Sequence, residues 1–448
     1  MLKRTVAKRT ISIAVLTVLA VLYGLSLYLY TPDYWETIVL SALVCILFGA
    51  ACVRFTGAIV DDIAGDGLAD AARSGDRTYR RCGVRELFKL ILLILVLRLF
   101  ELLLTYVLHL HLFGYGDTFF TVQRLWLDFH DASTAFPLYT YLSNLFWIFS
   151  FNFNHARFIG SYLFTALSGA ALYYLVVQDY DRKTARRAVR YYLFLPLSCL
   201  LMGTVPDGLF LLLSALSLLF MRKKQYPLAN CFAMLATLTH ALGVLLFFPI
   251  VFEYAMFLIN NLRSNREMRK GYLVKQIFTA LSFLMVPIGV GLVMLYSEVQ
   301  FGDWIALYRA AIGVEHAGQS FGVGMLFRWF DAIFDTTRVI APGTIAHLCA
   351  SSIPQILYFV LACVLVLIGS RRVRVSYLLL IVITVPVVIG LGRMDEFARA
   401  MTMTVPIYIA LSTLVRRKTT DAVLTAVMLI GWIVYFYAFI AGYTGRIL

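Results

Sequence analysis

Charge is what this chain has least of. Lys, Arg, Asp and Glu make up 14% of its 448 residues, against roughly a quarter in a soluble globular domain. Cysteine is sparse too. The seven (Cys45, Cys52, Cys82, Cys199, Cys231, Cys349 and Cys363) form no CxxC pair and lie mostly in or beside apolar runs. A disulfide framework or a zinc site is therefore not expected, and the thiols read as packing residues. There is no Walker loop, no GxGxxG after a strand and no HExxH, so cytosolic nucleotide use and zinc-protease chemistry have no support.

What fills the space is apolar: 61% of residues are hydrophobic. Runs near 20 residues recur, the length that crosses a hydrocarbon core of about 30 Å. The expected fold is an all-α polytopic membrane protein. The formal charge of +14 would suggest nucleic acid in a soluble chain. Here the cations cluster between apolar runs, which the positive-inside rule explains without nucleic acid.

Spans and charges give one consistent topology. Lys3, Arg4, Lys8 and Arg9 place the N-terminus in the cytoplasm, ahead of a retained first span over 11–30 and a second over 37–55. The segment 61–85 carries Arg73, Arg77, Arg80, Arg81 and Arg85 and stays inside, as a surface helix or a solvated loop. A third span, 87–110, exits and contains Arg98 and Glu101, three apart and able to pair on one helical face. The aromatic segment 144–156 belongs at the outer interface, and the span 157–177 returns to Arg182–Arg190. Two short hairpins follow, with outer tips at Val205-Pro206-Asp207-Gly208 and Thr239-His240. A long outer segment, 298–348, has the spacing of short amphipathic helices. Later spans put Arg393 and Arg399 outside and Arg416–Lys418 inside. The count is about 13 spans, uncertain by about two. Residues 1–86 form an N-terminal hairpin and basic loop, 87–415 the membrane core and 416–448 a last span.

The outer face thus collects Asp117, Asp128, His130, Asp131, Asp207, His240, Arg393 and Arg399. The first four lie in one acid-rich stretch, 114–142, which is either a solvated loop or a reaction site. A carboxylate there can serve as general base toward a hydroxyl, and Arg presents a planar fork to phosphate. Asp207 equally suits a plain turn, His240 a helix cap and Arg399 an interface anchor.

These residues resemble the C-type (GT-C) membrane glycosyltransferases, and more narrowly bacterial relatives of the second mannosyltransferase of glycosylphosphatidylinositol synthesis. The likeness runs over roughly 90–415. It rests on Asp117-Thr118-Phe119-Phe120, Ala135-Phe136-Pro137-Leu138-Tyr139, Pro206-Asp207-Gly208-Leu209-Phe210, Leu238-Thr239-His240-Ala241-Leu242-Gly243, Gly302-Asp303-Trp304, and Ala398-Arg399 with Pro406. Three positions depart from the family pattern: Gly116 replaces Trp, Asp207 replaces Glu and His240 replaces Arg.

The resemblance implies a GT-C bundle with outer amphipathic helices and an inverting sugar transfer on the extracytoplasmic face. The sugar, mannose by likeness, moves from a polyprenyl phosphate to a lipid, glycan or protein hydroxyl. Asp117 would be the general base. Arg399, then Arg393 or His240, would hold the donor phosphate, with Asp128, His130, Asp131 and Asp207 as substrate contacts. No cofactor is implied. A divalent ion between Asp117 and Asp131 is left open, although nothing in their spacing demands one. The competing classes are a transporter or flippase of a lipid-linked glycan and a polysaccharide polymerase or ligase.

Overall fold

The computed structural model describes residues 2–29, 35–64, 83–113, 136–202, 205–263, 270–312, 326–331, 352–390, 397–415 and 417–440. Every regular element among them is helical. In chain order these are α1 (Leu2–Leu29), α2 (Trp35–Ala64), α3 (Val84–Phe113), α4 (Pro137–Asn144), α5 (Trp147–Ser150) and α6 (Phe153–Asp179). Then come α7 (Arg182–Phe194), α8 (Asp207–Arg222), α9 (Tyr226–Thr237), α10 (Phe247–Arg263), α11 (Lys270–Ser282), α12 (Met285–Phe301) and α13 (Ala306–Ile312). The last are α14 (Ser352–Gly369), α15 (Val375–Gly390), α16 (Phe397–Thr402), α17 (Val405–Leu414) and α18 (Lys418–Ile440). Short 3-10 segments, Pro196–Met202 and Ala241–Leu246, precede α8 and α10.

Among the described residues seven helices are long and apolar enough to cross a bilayer, including Lys8–Ser26, Trp35–Ile63, His155–Asp179 and Lys418–Tyr437. The protein is an all-α membrane protein. Val375–Ile389 and Val405–Leu414 are shorter apolar helices.

The chain divides into two compact units, one of 1–78 with 312–448 and one of 79–311. In the first, α1 and α2 form a hairpin. Lys8 Nζ meets Asp61 Oδ1 at 2.5 Å, and the Tyr23 hydroxyl donates to the Ile38 carbonyl at 2.8 Å. Thr37 donates to Asp331 Oδ1 at 2.6 Å, both buried. Phe48 packs on Phe359 of α14, and Phe359 and Trp329 pack on Phe397. The Gln355 side chain accepts from the Ala398 backbone N–H at 2.7 Å, fastening α16 to α14.

The second unit is a helical bundle with two chemically different ends. At one end Arg222 Nε lies 2.9 Å from Asp179, while its Nη1 reaches Glu253 at 3.5 Å. Nearby, Tyr173 donates to Glu86 at 2.5 Å, and Arg186 and Arg182 stand 3.7 and 4.0 Å from the same carboxylate. Helices α6 and α8 run parallel and both finish at this end. Arg222 meets Asp179, and Gly208 packs on Thr165, so the offset is 43 residues at both contacts (222 minus 179 and 208 minus 165). Gly208 is needed there: a Cβ would sit 2.4 Å from Thr165 Oγ1 and 3.0 Å from its backbone N. Helix α7 is the return arm. Its Tyr192 hydroxyl is 2.8 Å from Ser168 Oγ and donates to the Thr165 carbonyl at 2.9 Å, so α7 lies antiparallel along α6.

Midway along α3 the expected pair forms. Arg98 Nη1 contacts Glu101 Oε2 at 2.6 Å, with the Arg98 side chain wholly buried. Arg98 Nε and Nη2 have no hydrogen-bond partner among the described residues. A buried ion pair costs desolvation that its attraction only partly repays, and breaking it costs more. Arg98→Met is therefore expected to lower stability by about 3–5 kcal/mol, and Arg98→Met with Glu101→Leu to recover most of that loss. Unfolding midpoints in detergent check both. A second expectation concerns Gly243, where a Cβ would lie 2.3 Å from Thr237 N, a backbone atom with no rotamer to relieve it. Gly243→Ala should cost about 1–3 kcal/mol or more. Gly291→Ala, which meets nothing within 4 Å, is the control and should leave the midpoint unchanged or raised.

Candidate functional site

The end of the second unit opposite its ionic contacts gathers two of the residues expected from sequence. Helix α4 begins with Pro137 at its first position, where a missing N–H costs nothing, and Phe136 caps it. The Leu138 N–H donates to the Leu238 carbonyl at 3.2 Å, tying α4 to the end of α9. Phe136 is fully buried with Val293 and Leu307, and Tyr308 meets it edge-on at 5.9 Å.

His240 sits between Phe136, stacked at 6.4 Å, and Phe210, at 5.3 Å. Its backbone is extended and its Nδ1 accepts the Leu242 N–H at 3.1 Å, capping the 3-10 segment. An Nδ1 that accepts carries no proton, so in this arrangement the ring is the neutral tautomer with its hydrogen on Nε2. The cap expected as one alternative for His240 is the arrangement observed.

Asp207 is not the apex of an open turn. Pro206 caps α8, Asp207 is its first helical residue, and the carboxylate is fully buried. A carboxylate in the first turn is stabilised by the exposed N–H groups of the helix start. Asp207 stands close enough to Tyr139 for its charge to act on that phenol. Tyr139, also fully buried, donates to the Arg157 backbone carbonyl at 3.3 Å. Burial pushes the Tyr139 phenol well above its ordinary range. Asp207 reinforces that, while the Arg157 charge and a hydrogen bond with Ser161 oppose it. Burial likewise pushes Tyr308 up to about 12. Both phenols keep their protons at neutral pH, and the Tyr308 hydroxyl has no partner among the described residues.

Arg157 is the residue that sequence reasoning passed over. It is half-buried on the first turns of α6, with a buried Nε that has no partner among the described residues. Its signal was its isolation: it is the one Lys or Arg between Arg124 and Arg182. Beside it the expected interfacial segment is exposed and aromatic, with Trp147, Phe149, Phe151 and Phe153 uncovered.

Arg399 belongs to the other unit, on α16, and is 7% exposed. That burial does not suit a simple interface anchor. Asp117, Asp128, His130, Asp131 and Arg393 lie outside the described residues. Among the described residues no three His, Cys, Asp or Glu side chains are placed to hold a metal ion. No protein-family model matches the chain, and neither curated proteins nor solved structures give a match.

The cap yields a direct expectation. His240→Ala removes the acceptor for Leu242 N–H and should cost about 1 kcal/mol, whereas His240→Asn, which can cap, should cost less. Thermal unfolding of the purified variants checks it; equal losses for both would contradict the capping role.

Proposed function

We propose that the protein is a GT-C-like membrane glycosyltransferase, crossing the bilayer about 13 times when its shorter helices are counted. It moves a sugar, mannose in the first instance, from a polyprenyl phosphate to an acceptor hydroxyl. The observation that carries this reading is the grouping of Tyr139, Arg157, Asp207 and His240 at one end of a bundle whose other end holds Arg182, Arg186 and Arg222. With the basic end inside by the positive-inside rule, the grouping faces out, where a lipid-linked donor is presented.

In the reaction, the acceptor oxygen attacks the anomeric carbon from the side opposite the phosphate. The bond from that carbon to the phosphate oxygen breaks, and the configuration inverts. The acceptor proton passes to the Asp117 carboxylate and polyprenyl phosphate leaves as an anion. Arg399 and Arg393 remain candidates for that anion, and Arg157 joins them. His240 contributes at most its Nε2–H. Asp128, His130, Asp131 and Asp207 are candidate acceptor contacts. The acceptor is a lipid, a glycan or a protein. The mechanism calls for no cofactor.

A second reading, a flippase for a lipid-linked glycan, draws on the Arg98–Glu101 pair buried in the middle of α3, since ionisable groups at that depth often mark a transport path. Purified protein given polyprenyl-phosphate mannose separates the two. An enzyme releases polyprenyl phosphate, and Asp117→Asn should slow that release by about 10²–10⁴-fold. Intact donor that only changes leaflet, in wild type and variant alike, would establish the flippase instead.

A further inference from the structure

The amphipathic helix α7 carries five cations that neither reading places in a binding site. At about 100° per residue, Arg182, Lys183, Arg186, Arg187 and Arg190 fall within an arc of about 140°. Ala185, Ala188, Tyr191 and Tyr192, all buried, lie on the opposite side. Arg182, Lys183 and Arg186 are exposed, at 52% for Arg182 and 70% for Arg186.

Of the nearby acids, Glu86 pairs with Arg186 at 3.7 Å and with Arg182 at 4.0 Å, one carboxylate shared by two cations. Asp179 and Glu253 both engage Arg222. Asp181 is turned to the cap of α7, accepting from the Thr184 backbone N–H at 3.2 Å and from the Thr184 hydroxyl. Glu86 also accepts from the Tyr173 hydroxyl, so its single charge is divided among three groups.

Its place directly after a candidate span distinguishes this row from an ordinary charge run. α7 begins three residues beyond the candidate span His155–Asp179 and turns back alongside it. The cations therefore extend over about 12 Å of helix from Arg182, beside the end of that span, eight residues at 1.5 Å each. A cluster of Lys and Arg immediately beyond a membrane span is the form that attracts anionic lipid.

We infer that α7 is a binding site for the phosphate headgroups of anionic phospholipids in the same bilayer, with Arg182, Lys183 and Arg186 as the contacts. The site is independent of the sugar-transfer reading. Each cation near an anionic leaflet favours binding by roughly five-fold, so removing three weakens it on the order of 100-fold.

The test uses the full chain in nanodiscs containing phosphatidylglycerol and phosphatidylcholine. Lipids retained after detergent extraction are counted by native mass spectrometry, and the unfolding midpoint is followed as phosphatidylglycerol is added. Wild type should retain phosphatidylglycerol over phosphatidylcholine and be stabilised by it, and 1 M salt, with a Debye length of about 3 Å, should weaken both effects. Arg182→Ala/Lys183→Ala/Arg186→Ala should lose the preference. Arg182→Lys/Arg186→Lys keeps the charge and should retain it, which separates lost binding from lost folding; Lys183→Gln alone should give a partial loss. Equal retention by wild type and the triple variant, no preference in wild type, or equal stabilisation by inorganic phosphate alone would overturn the assignment.

Discussion

The parallel contact between α6 and α8 governs the geometry of the second unit. It is held at one end by Arg222 on Asp179 and closed at the other by Gly208 against Thr165. Two parallel neighbours need a return arm, and α7 with its 3-10 extension supplies it. Because the register is set at both ends, the start of α8 comes level with Ser161, so Asp207 is brought toward Tyr139 and Arg157. A side chain larger than glycine at 208 would open this contact first, and the carboxylate would lose its place beside the phenol.

Much of the fold was written in local pattern. Apolar runs located α1, α2, α6 and α18, and the three-residue spacing of Arg98 and Glu101 foretold their ion pair, because such neighbours face one another on any helix. The cap at His240 was readable for the same reason. What escaped was non-local. Pro206-Asp207-Gly208 looks like an exposed turn because turn chemistry depends on adjacent residues, whereas the burial of Asp207 is set by α6, more than 40 positions earlier. The joining of 1–78 with 312–448 was equally hidden. Its hydrogen bond from Thr37 to Asp331 links residues 294 apart, and no periodicity encodes a distance of that kind.

The candidate site was legible only in part. Asp207 and His240 were named from sequence and share one end of the bundle through Phe210, whose ring lies 5.3 Å from the imidazole. The imidazole Nδ1 accepts from the backbone, and the Arg157 charge acts on Tyr139. An isolated arginine in an aromatic segment has no spacing motif to announce it. Only the neighbours Tyr139 and Ser161, from two different helices, give it meaning.

The charge on α7 bears on what holds it in place. A helix with five cations in its first nine residues does not partition into lipid by its own hydropathy. Yet its far end, at Tyr191, Tyr192 and Leu193, is buried among α6 and its neighbours. The segment therefore owes its place to packing against α6, not to its own hydropathy: this stretch of chain is held by its protein neighbours where a span would be held by lipid.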